Sequence, residues 1–415
     1  MKVLLIGSGA REHALAYSLK SDVQVTELHV APGNPGIGDI AVLHEINQND
    51  PQAVSALAMK IGADLVVIGP EAPLVAGVAD AVRSAGIPCF GPSRAAAQIE
   101  GSKSFAKEIM ASAGVPTAQS FTCNNQEEME RALDSFGAPY VVKNDGLAAG
   151  KGVVVTHDRA AALAHGIECG TVVIEEYLDG PEISLFGISD GVTVIGMEPA
   201  QDFKRVFDND EGANTGGMGA YSPLPWAPAE IIKETEERVL IPTIRELAKR
   251  DMPFVGLLYA GLAMTSRGLR VIEFNARFGD PETEVLLPRL QTPLAQLLFA
   301  AATGNLKAQP PLTWSKESAV TVVLASAGYP QDPQVGREIS GISEIDKTRI
   351  FHGGTTVSGG RLLSSGGRVL AVTGLGSNLA NARARSYEAI SKVSLAGGHY
   401  RKDIALKASM SEKGA

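Results

Sequence analysis

The first hundred residues alternate between short apolar runs and amphipathic stretches. Val3–Ile6 is an unbroken apolar run, Glu12–Leu19 has helical spacing, and Val23–Val30 reads as strand. Pro51–Ile61 reads as helix, Leu65–Ile68 as strand, Val75–Ala85 as helix and Ile87–Phe90 as a short strand. Such alternation predicts a doubly wound parallel sheet. Gly91-Pro92-Ser93 is turn chemistry and marks a boundary nearby. A helix and a connector fill 102–122. Residues 123–188 read as helix, strand, glycine loop, strand, helix, strand, a small α/β lobe. Strands follow near Val192–Met197, Leu257–Met264 and Leu269–Phe274, with long helices over 228–250 and 293–303. Between them Phe207–Ser222 is polar and glycine-rich, which predicts a long loop, and such loops are usually functional. Beyond Pro310-Pro311, Ala319–Ala325 and Val369–Val372 are strands, glycine pairs suggest turns of an antiparallel sheet, and 378–393 is a helix. The tail after Arg401 is expected to fray.

A chain of 415 residues has room for about two to four domains. Its formal net charge of −9 argues against nucleic acid as a main partner, while leaving room for local basic clefts. Cys89, Cys123 and Cys169 are scattered without metal-ligand spacing, as free thiols in a reducing compartment would be. The apolar run at the N-terminus is too short for a signal peptide, and Arg11, Glu12 and His13 break it. No stretch reaches the roughly 18 apolar residues that span a bilayer. These features predict a cytoplasmic protein with no membrane partner.

The chemistry begins at Val141–Val155. One β-branched run ends in Lys143, a loop carries Gly146, Gly150, Lys151 and Gly152, and a second β-branched run closes it. Glycines let backbone N–H groups approach a phosphate and lysines supply charge. A P-loop is excluded: the spacing from Gly146 is one residue short, Gly152 stands where a hydroxyl is needed, and a strand follows instead of a helix. The alternative is a glycine-rich hairpin with two surface lysines.

Three further constellations matter. Gly7-Ser8-Gly9-Ala10-Arg11-Glu12 resembles a dinucleotide fingerprint but puts Glu12 where the third glycine belongs. What survives is a glycine turn at a helix N-terminus, which favours an anion. Asn34 and Glu71 follow the next strands, and ligands bind at the carboxyl ends of such strands. Gly9, Asn34 and Glu71 could therefore line one crevice for a phosphorylated sugar, each being a plain turn otherwise. In Glu273-Phe-Asn275-Ala-Arg277, alternation puts Glu273 and Asn275 on one strand face. Their oxygens suit Mg²⁺, and Arg277 could hold an anionic intermediate; the alternative pairs Arg277 with Asp280 or Glu282. Finally, Glu175, Glu176, Tyr177 and Leu178 leave a strand where backbone groups could meet an adenine edge. Glu182 could hold ribose hydroxyls, unless this is simply an acidic hairpin.

Together these segments resemble the ATP-grasp superfamily, and within it the phosphoribosylamine–glycine ligase family. The match runs from Val3 to about Ile404 and rests on Gly7–Leu15, Pro32–Gly36, Gly69–Leu74, Gly101–Lys103, Lys143–Gly152, Gln201–Arg205, Asn214–Pro223, Glu273–Pro288 and Gly366–Gly374. Ala10, Asn144 and Ala213 depart from the family's usual residues. The resemblance implies a four-part chain: an N-terminal Rossmann-like domain (1–101), an ATP-grasp core (102–122 and 189–312), a small lid lobe (123–188) and a C-terminal domain (313–415). It implies joining of glycine to 5-phosphoribosylamine, with ATP as co-substrate and Mg²⁺ or Mn²⁺ as the metal. Lys103, Lys143 and the 146–152 loop would meet ATP phosphates, residues 175–178 the adenine, Glu182 the ribose, and Glu273 with Asn275 the metal. Asp202, Lys204, Asn214, Gly216, Gly217 and Arg277 would line the substrate site, with Gly9, Asn34 and Glu71 on the phosphoribosylamine. Lys143 and Arg277 would be catalytic. A monomer with at most transient contact to the enzyme that makes phosphoribosylamine is expected.

Three other readings compete. Another ATP-grasp enzyme would act on a different carboxylate. A dinucleotide-dependent oxidoreductase would use Gly7 and Gly9, against which Glu12 argues. A non-catalytic nucleotide-binding regulator would have no need of both lysines and both metal-ligand candidates.

Overall fold

The computed structural model describes residues 1–147, 152–344 and 350–412. The first sheet is entirely parallel, in the order Val42–Leu43, Glu27–Pro32, Lys2–Gly7, Leu65–Ile68, Cys89–Phe90. Its central strand explains why. Leu4 and Ile6 face one apolar cluster while Val3 and Leu5 face another, so both faces are buried, the condition under which parallel sheets form. The chain winds outward on one side of Lys2–Gly7 and then crosses to the other. The carboxyl ends of Lys2–Gly7 and Leu65–Ile68 therefore flank the switch point, where open sheets of this kind leave a crevice. The segments 7–13, 32–36 and 69–71 all lie along this edge.

Several expected elements differ. The second strand starts at Glu27, because Val25 N–H closes a turn onto Asp22 O and Val23 is 93% exposed. The helix expected over Val75–Ala85 is two helices, Glu71–Ala76 and Val78–Ser84, broken at Gly77 with φ +91°. The long helix over 228–250 starts at Ile231 and widens into a π turn at Glu236–Leu240. Pro242 follows directly and has no N–H to continue the regular ladder.

The central sheet is antiparallel: Val194–Gly196, Glu182–Asp190, Val255–Thr265, Gly268–Asn275. A smaller antiparallel sheet, Ser120–Cys123, Val172–Glu175, Tyr140–Asn144, Val153–Thr156, carries the glycine loop between its last two strands. Helices Gln126–Phe136 and Arg159–Cys169 cover it, and Met129, Leu133, Val142 and Ile174 give it a core separate from the rest.

The C-terminal sheet draws strands from two distant stretches. Its order is Gln201–Asp202, Gly219–Ser222, Ser318–Ala325, Arg368–Gly376, Ile350–His352. Phe207–Ser222 is thus no plain loop: Arg205–Phe207 pairs with Glu211–Asn214, and Gly219–Ser222 pairs with Ser318–Ala325. Its glycines hid these strands from a propensity reading. Nor does the tail fray through residue 412. Arg401 and Ile404 are buried, and Leu406–Ser411 is a helix.

Two glycines separate backbone strain from collision. Gly180 (φ +91°) has Met264 O only 2.1 Å from a built Cβ, whereas Gly268 (φ +92°) has nothing within 4 Å. Gly268→Ala should cost about 1–2 kcal/mol, the penalty for an L residue in this region. Gly180→Ala should lower the thermal midpoint by clearly more, and equal shifts would contradict the collision.

Candidate active site

The register places Lys143 opposite Val173 and diagonal to Glu175, on the same face of the small sheet. Lys143 is 3% exposed, and its ammonium donates to Glu175 Oε2 at 2.9 Å and to Ile272 O, in the central sheet, at 2.8 Å. The other oxygen of Glu175 holds Lys107 at 3.1 Å, and Lys107 also donates to Thr117 Oγ1 and Ala118 O. Burial brings Lys107 down to about 8, with Glu175 opposing the shift and Lys143 adding to it. Two ammonium groups share one carboxylate, so the trio carries surplus positive charge.

Lys103 opens the helix Lys103–Ala113, whose N-cap is Ser102, and its ammonium donates to Gly146 O at 3.3 Å. Asp145 accepts from Ser102 Oγ, Ser104 N and Ser104 Oγ. The start of the glycine loop is thereby fastened to a helix N-terminus. Gly152 O accepts from Asn144 N at 2.7 Å. Gly150 and Lys151 lie outside the described residues.

Acids gather on the opposite bank. Glu182 begins one central strand, Glu273 and Asn275 face Gly261 and Tyr259 on the next, and Ser184 Oγ donates to Glu282 Oε1 at 2.9 Å. Lys204 forms an ion pair with Glu182 and lies 3.8 Å from Asp202. Burial pushes the Asp202 carboxyl up to about 7; Lys204 pulls it back while Glu282, Glu182 and Glu273 push it further. Four carboxylates thus stand against one ammonium. Among the described residues, no three or more His, Cys, Asp or Glu are grouped to enclose a metal. Glu273 and Asn275 offer a carboxylate and an amide oxygen, hard donors that suit Mg²⁺.

Residues 175–182 form no hairpin, because they pass from the small sheet to the central one. Glu176 N donates to Gln119 O, and the Glu176 carboxylate takes Arg267 at 2.8 Å. Tyr177 is half exposed.

The first-domain edge is already wired. Glu12 Oε2 accepts from Gly9 N at 2.7 Å, and Glu12 Oε1 takes Arg11 at 2.5 Å. A Cβ built on Gly7, Gly9 or Gly69 would come within 2.9 Å of a Glu12 atom. These glycines make room for the chain's own carboxylate, which caps the helix. Glu12 thus fills the place of the fingerprint's third glycine, which argues against the dinucleotide reading, and an anion at this turn would compete with its carboxylate. Asn34 donates to Ser8 O and His352 O and accepts from Ile37 N, tying the first sheet to the C-terminal one. Arg277 pairs with neither Asp280 nor Glu282. It holds Glu71 at 3.2 Å and Glu100 at 3.1 Å. Burial would raise the Glu71 carboxyl, but Arg277 and Arg11 outweigh it and bring it to about 2.

Gly216 and Gly217 meet other partners than Arg277. Arg368, from the C-terminal sheet, donates to Gly216 O at 2.6 Å and Asp280 O at 2.8 Å, and pairs with Asp280 Oδ1 at 3.0 Å. A cavity of about 180 Å³ lies here, lined in part by Gly9, Asp280, Gly354 and Arg368. Asn214 pairs with Arg205, and Lys204 O accepts from Thr215 N at 2.7 Å.

Models of the three domains of one family cover most of the chain. They are the phosphoribosylglycinamide synthetase N domain over residues 1–100, its ATP-grasp (A) domain over 101–283 and its C domain over 319–407. The chain belongs to the phosphoribosylglycinamide synthetase family. It is 60% identical to the phosphoribosylamine–glycine ligase of Streptomyces coelicolor, over 98% of this chain and 99% of that one. The ligase of Mycobacterium tuberculosis is 55% identical over 98% of each. The crystal structure of the ligase from Thermotoga maritima superposes with a TM-score of 0.86 at 32% identity, covering 98% of this chain and all (100%) of that one. A biotin carboxylase domain from Hydrogenobacter thermophilus, 16% identical with a TM-score of 0.69 over 96% of this chain and 91% of that one, shares the fold.

In this synthetase family member, sequence reasoning passed over Lys107, Glu100 and Arg368, and weighed Asp280 only as a partner for Arg277. Lys107 had a signal, since four residues after Lys103 it shares a helix face. Arg368 had none nearby in the chain. Glu284 was also missed: it is fully buried, and neither carboxyl oxygen has a hydrogen-bond partner among the described residues. Burial holds it well above the usual glutamate range, with Asp280 adding to the shift. A carboxyl raised by folding gives stability that is complete below its unfolded value and lost as pH rises toward the folded one. The limiting slope is about 1.4 kcal/mol per pH unit. Glu284→Gln should therefore flatten the decline of the thermal midpoint between pH 5 and pH 8; an unchanged slope would show that folding does not raise the Glu284 carboxyl.

Proposed function

We propose that this chain joins glycine to 5-phosphoribosylamine at the expense of ATP, and that the lobe–core junction is where ATP is used. One observation carries the site assignment. Lys143 reaches from the small sheet to Ile272 O, so the proposed phosphate-binding cation meets the central strand one residue before the proposed metal ligand Glu273.

Oxide is too poor a leaving group for a carboxylate to acylate an amine. Transfer of the γ-phosphoryl group to the glycine carboxylate makes glycyl phosphate, and ADP leaves. The amine of phosphoribosylamine then attacks the carbonyl, the C–O bond to phosphate breaks, and the amine proton is lost to solvent. Phosphoryl transfer needs positioning and charge neutralisation above all. Lys103 and Lys143 supply charge to the phosphates, and Gly146, Gly150, Lys151 and Gly152 belong to the loop beside them. Backbone groups of Glu175–Leu178 meet adenine and Glu182 meets the ribose. Glu273 and Asn275 would hold Mg²⁺ or Mn²⁺, which would supply positive charge to the phosphates. Arg277, with Asp202, Lys204, Asn214, Gly216 and Gly217, surrounds glycine and its acyl phosphate. Gly9, Asn34 and Glu71 face phosphoribosylamine, whose binding exchanges their internal partners. The chain acts in the cytoplasm as a monomer and meets the enzyme that makes phosphoribosylamine only transiently.

Phosphate release from ATP in the presence of phosphoribosylamine should depend on glycine; strong turnover with formate or bicarbonate instead would overturn the reading. Glu273→Gln should keep the fold and lower kcat by about 10²–10³-fold, the scale for losing one charge-stabilising group. Normal turnover would remove Glu273 from the metal site. Lys143→Ala should raise KM for ATP by about ten- to a hundredfold, as for a lost charged hydrogen bond, and an unchanged ATP dependence would contradict its role.

A further inference from the structure

We infer that Arg401 is a positioning residue that sets the ammonium of Lys204 from the C-terminal segment of the chain. The inference rests on the proposed place of Lys204 beside the ribose-binding Glu182.

The side chain of Arg401 is completely buried (0% exposed). Its guanidinium spends its donors on three partners. Nη1 donates to Arg205 O at 3.0 Å and Asp210 Oδ1 at 2.8 Å, while Nε and Nη2 take the two oxygens of Asp403 at 2.8 and 2.7 Å. Its plane also lies over the Phe203 ring, 5.0 Å from the centroid. Phe203 and Arg205 are the residues on either side of Lys204. Arg401 therefore grips the chain immediately before and immediately after that lysine. Two backbone bonds extend the grip, from Asn209 N to Asp403 Oδ2 at 2.8 Å and from Lys402 N to Asp208 Oδ1 at 2.7 Å. The hairpin Arg205–Phe207 with Glu211–Asn214 is thus latched at both tip and base.

A clamp with only a stabilising role could seize the hairpin anywhere. This one seizes the two residues that aim Lys204, whose ammonium stands between Glu182 and Asp202. Displacing that ammonium leaves the nearly buried carboxylate of Asp202 and the half-exposed one of Glu182 without their counter-charge. Glu182 would then no longer present the same acceptor to a ribose.

The test is a double-mutant cycle on the full chain with Arg401→Lys and Lys204→Met. Lysine keeps the buried charge but cannot reproduce the planar fork. Readouts are the thermal midpoint, kcat and KM for ATP at saturating glycine, and the dissociation constant for MgATP by calorimetry. Arg401→Lys should fold, raise KM and the dissociation constant about five- to tenfold and change kcat less than about twofold, and in the Lys204→Met background its effect should shrink to under about twofold, because contacts acting through one residue are not additive. Should Arg401→Lys not fold, Phe203→Leu removes the stacked ring and should show the same KM effect and the same coupling. Fully multiplicative effects, or a wild-type KM in the folded Arg401 or Phe203 variant, would overturn the inference alone. A wild-type KM for ATP in Lys204→Met would show that Lys204 does not set the ribose-binding Glu182 and would take the inference down with that assignment.

Discussion

An ammonium group buried as deeply as that of Lys143 must find acceptors inside the protein, and it finds them in two different sheets. Glu175 answers it from the small sheet and Ile272 O from the central one. The small sheet has its own apolar core, so this polar contact is one of the ties that fix how it sits on the rest. Glu175 is in turn shared with Lys107, which anchors through Thr117 to Val271 O in the same central strand. The charge that a nucleotide would need and the joint between lobe and core are therefore the same group of atoms.

The other bank of the cleft carries the opposite surplus. Lys204 cannot balance Glu182, Asp202, Glu273 and Glu282 by itself, and the other three carboxylates add to the upward shift that burial gives Asp202. Surplus positive charge on one side and surplus negative charge on the other suit a polyphosphate on the first and a divalent cation on the second. The first-domain edge behaves differently. Arg11, Glu12, Glu71, Glu100 and Arg277 are already paired among themselves, so a ligand there competes with existing ion pairs and does not fill an empty charge.

Much of this was legible in the chain. The parallel sheet followed from apolar runs separated by helices, and both faces of its central strand are indeed buried. The two strands expected on either side of the glycine loop are present and pair antiparallel, with Val142 opposite Val154. Glu273 and Asn275 share one face because strand alternation requires it. Local pattern failed where glycine and asparagine mask strands, as in 205–222, and where a distant contact decides order, as in the tail beyond Arg401.

The sequence by itself determined the elements, the family and the chemical types available, because these rest on local periodicity and on residue identity. Which charges meet was decided only by tertiary structure. Arg277 pairs with Glu71, 206 positions away, and Arg368 reaches Gly216 across 152. Glu12 fills the turn that its glycines seemed to leave open. Ion pairing depends on distance and burial, and neither is set until the three sheets have packed.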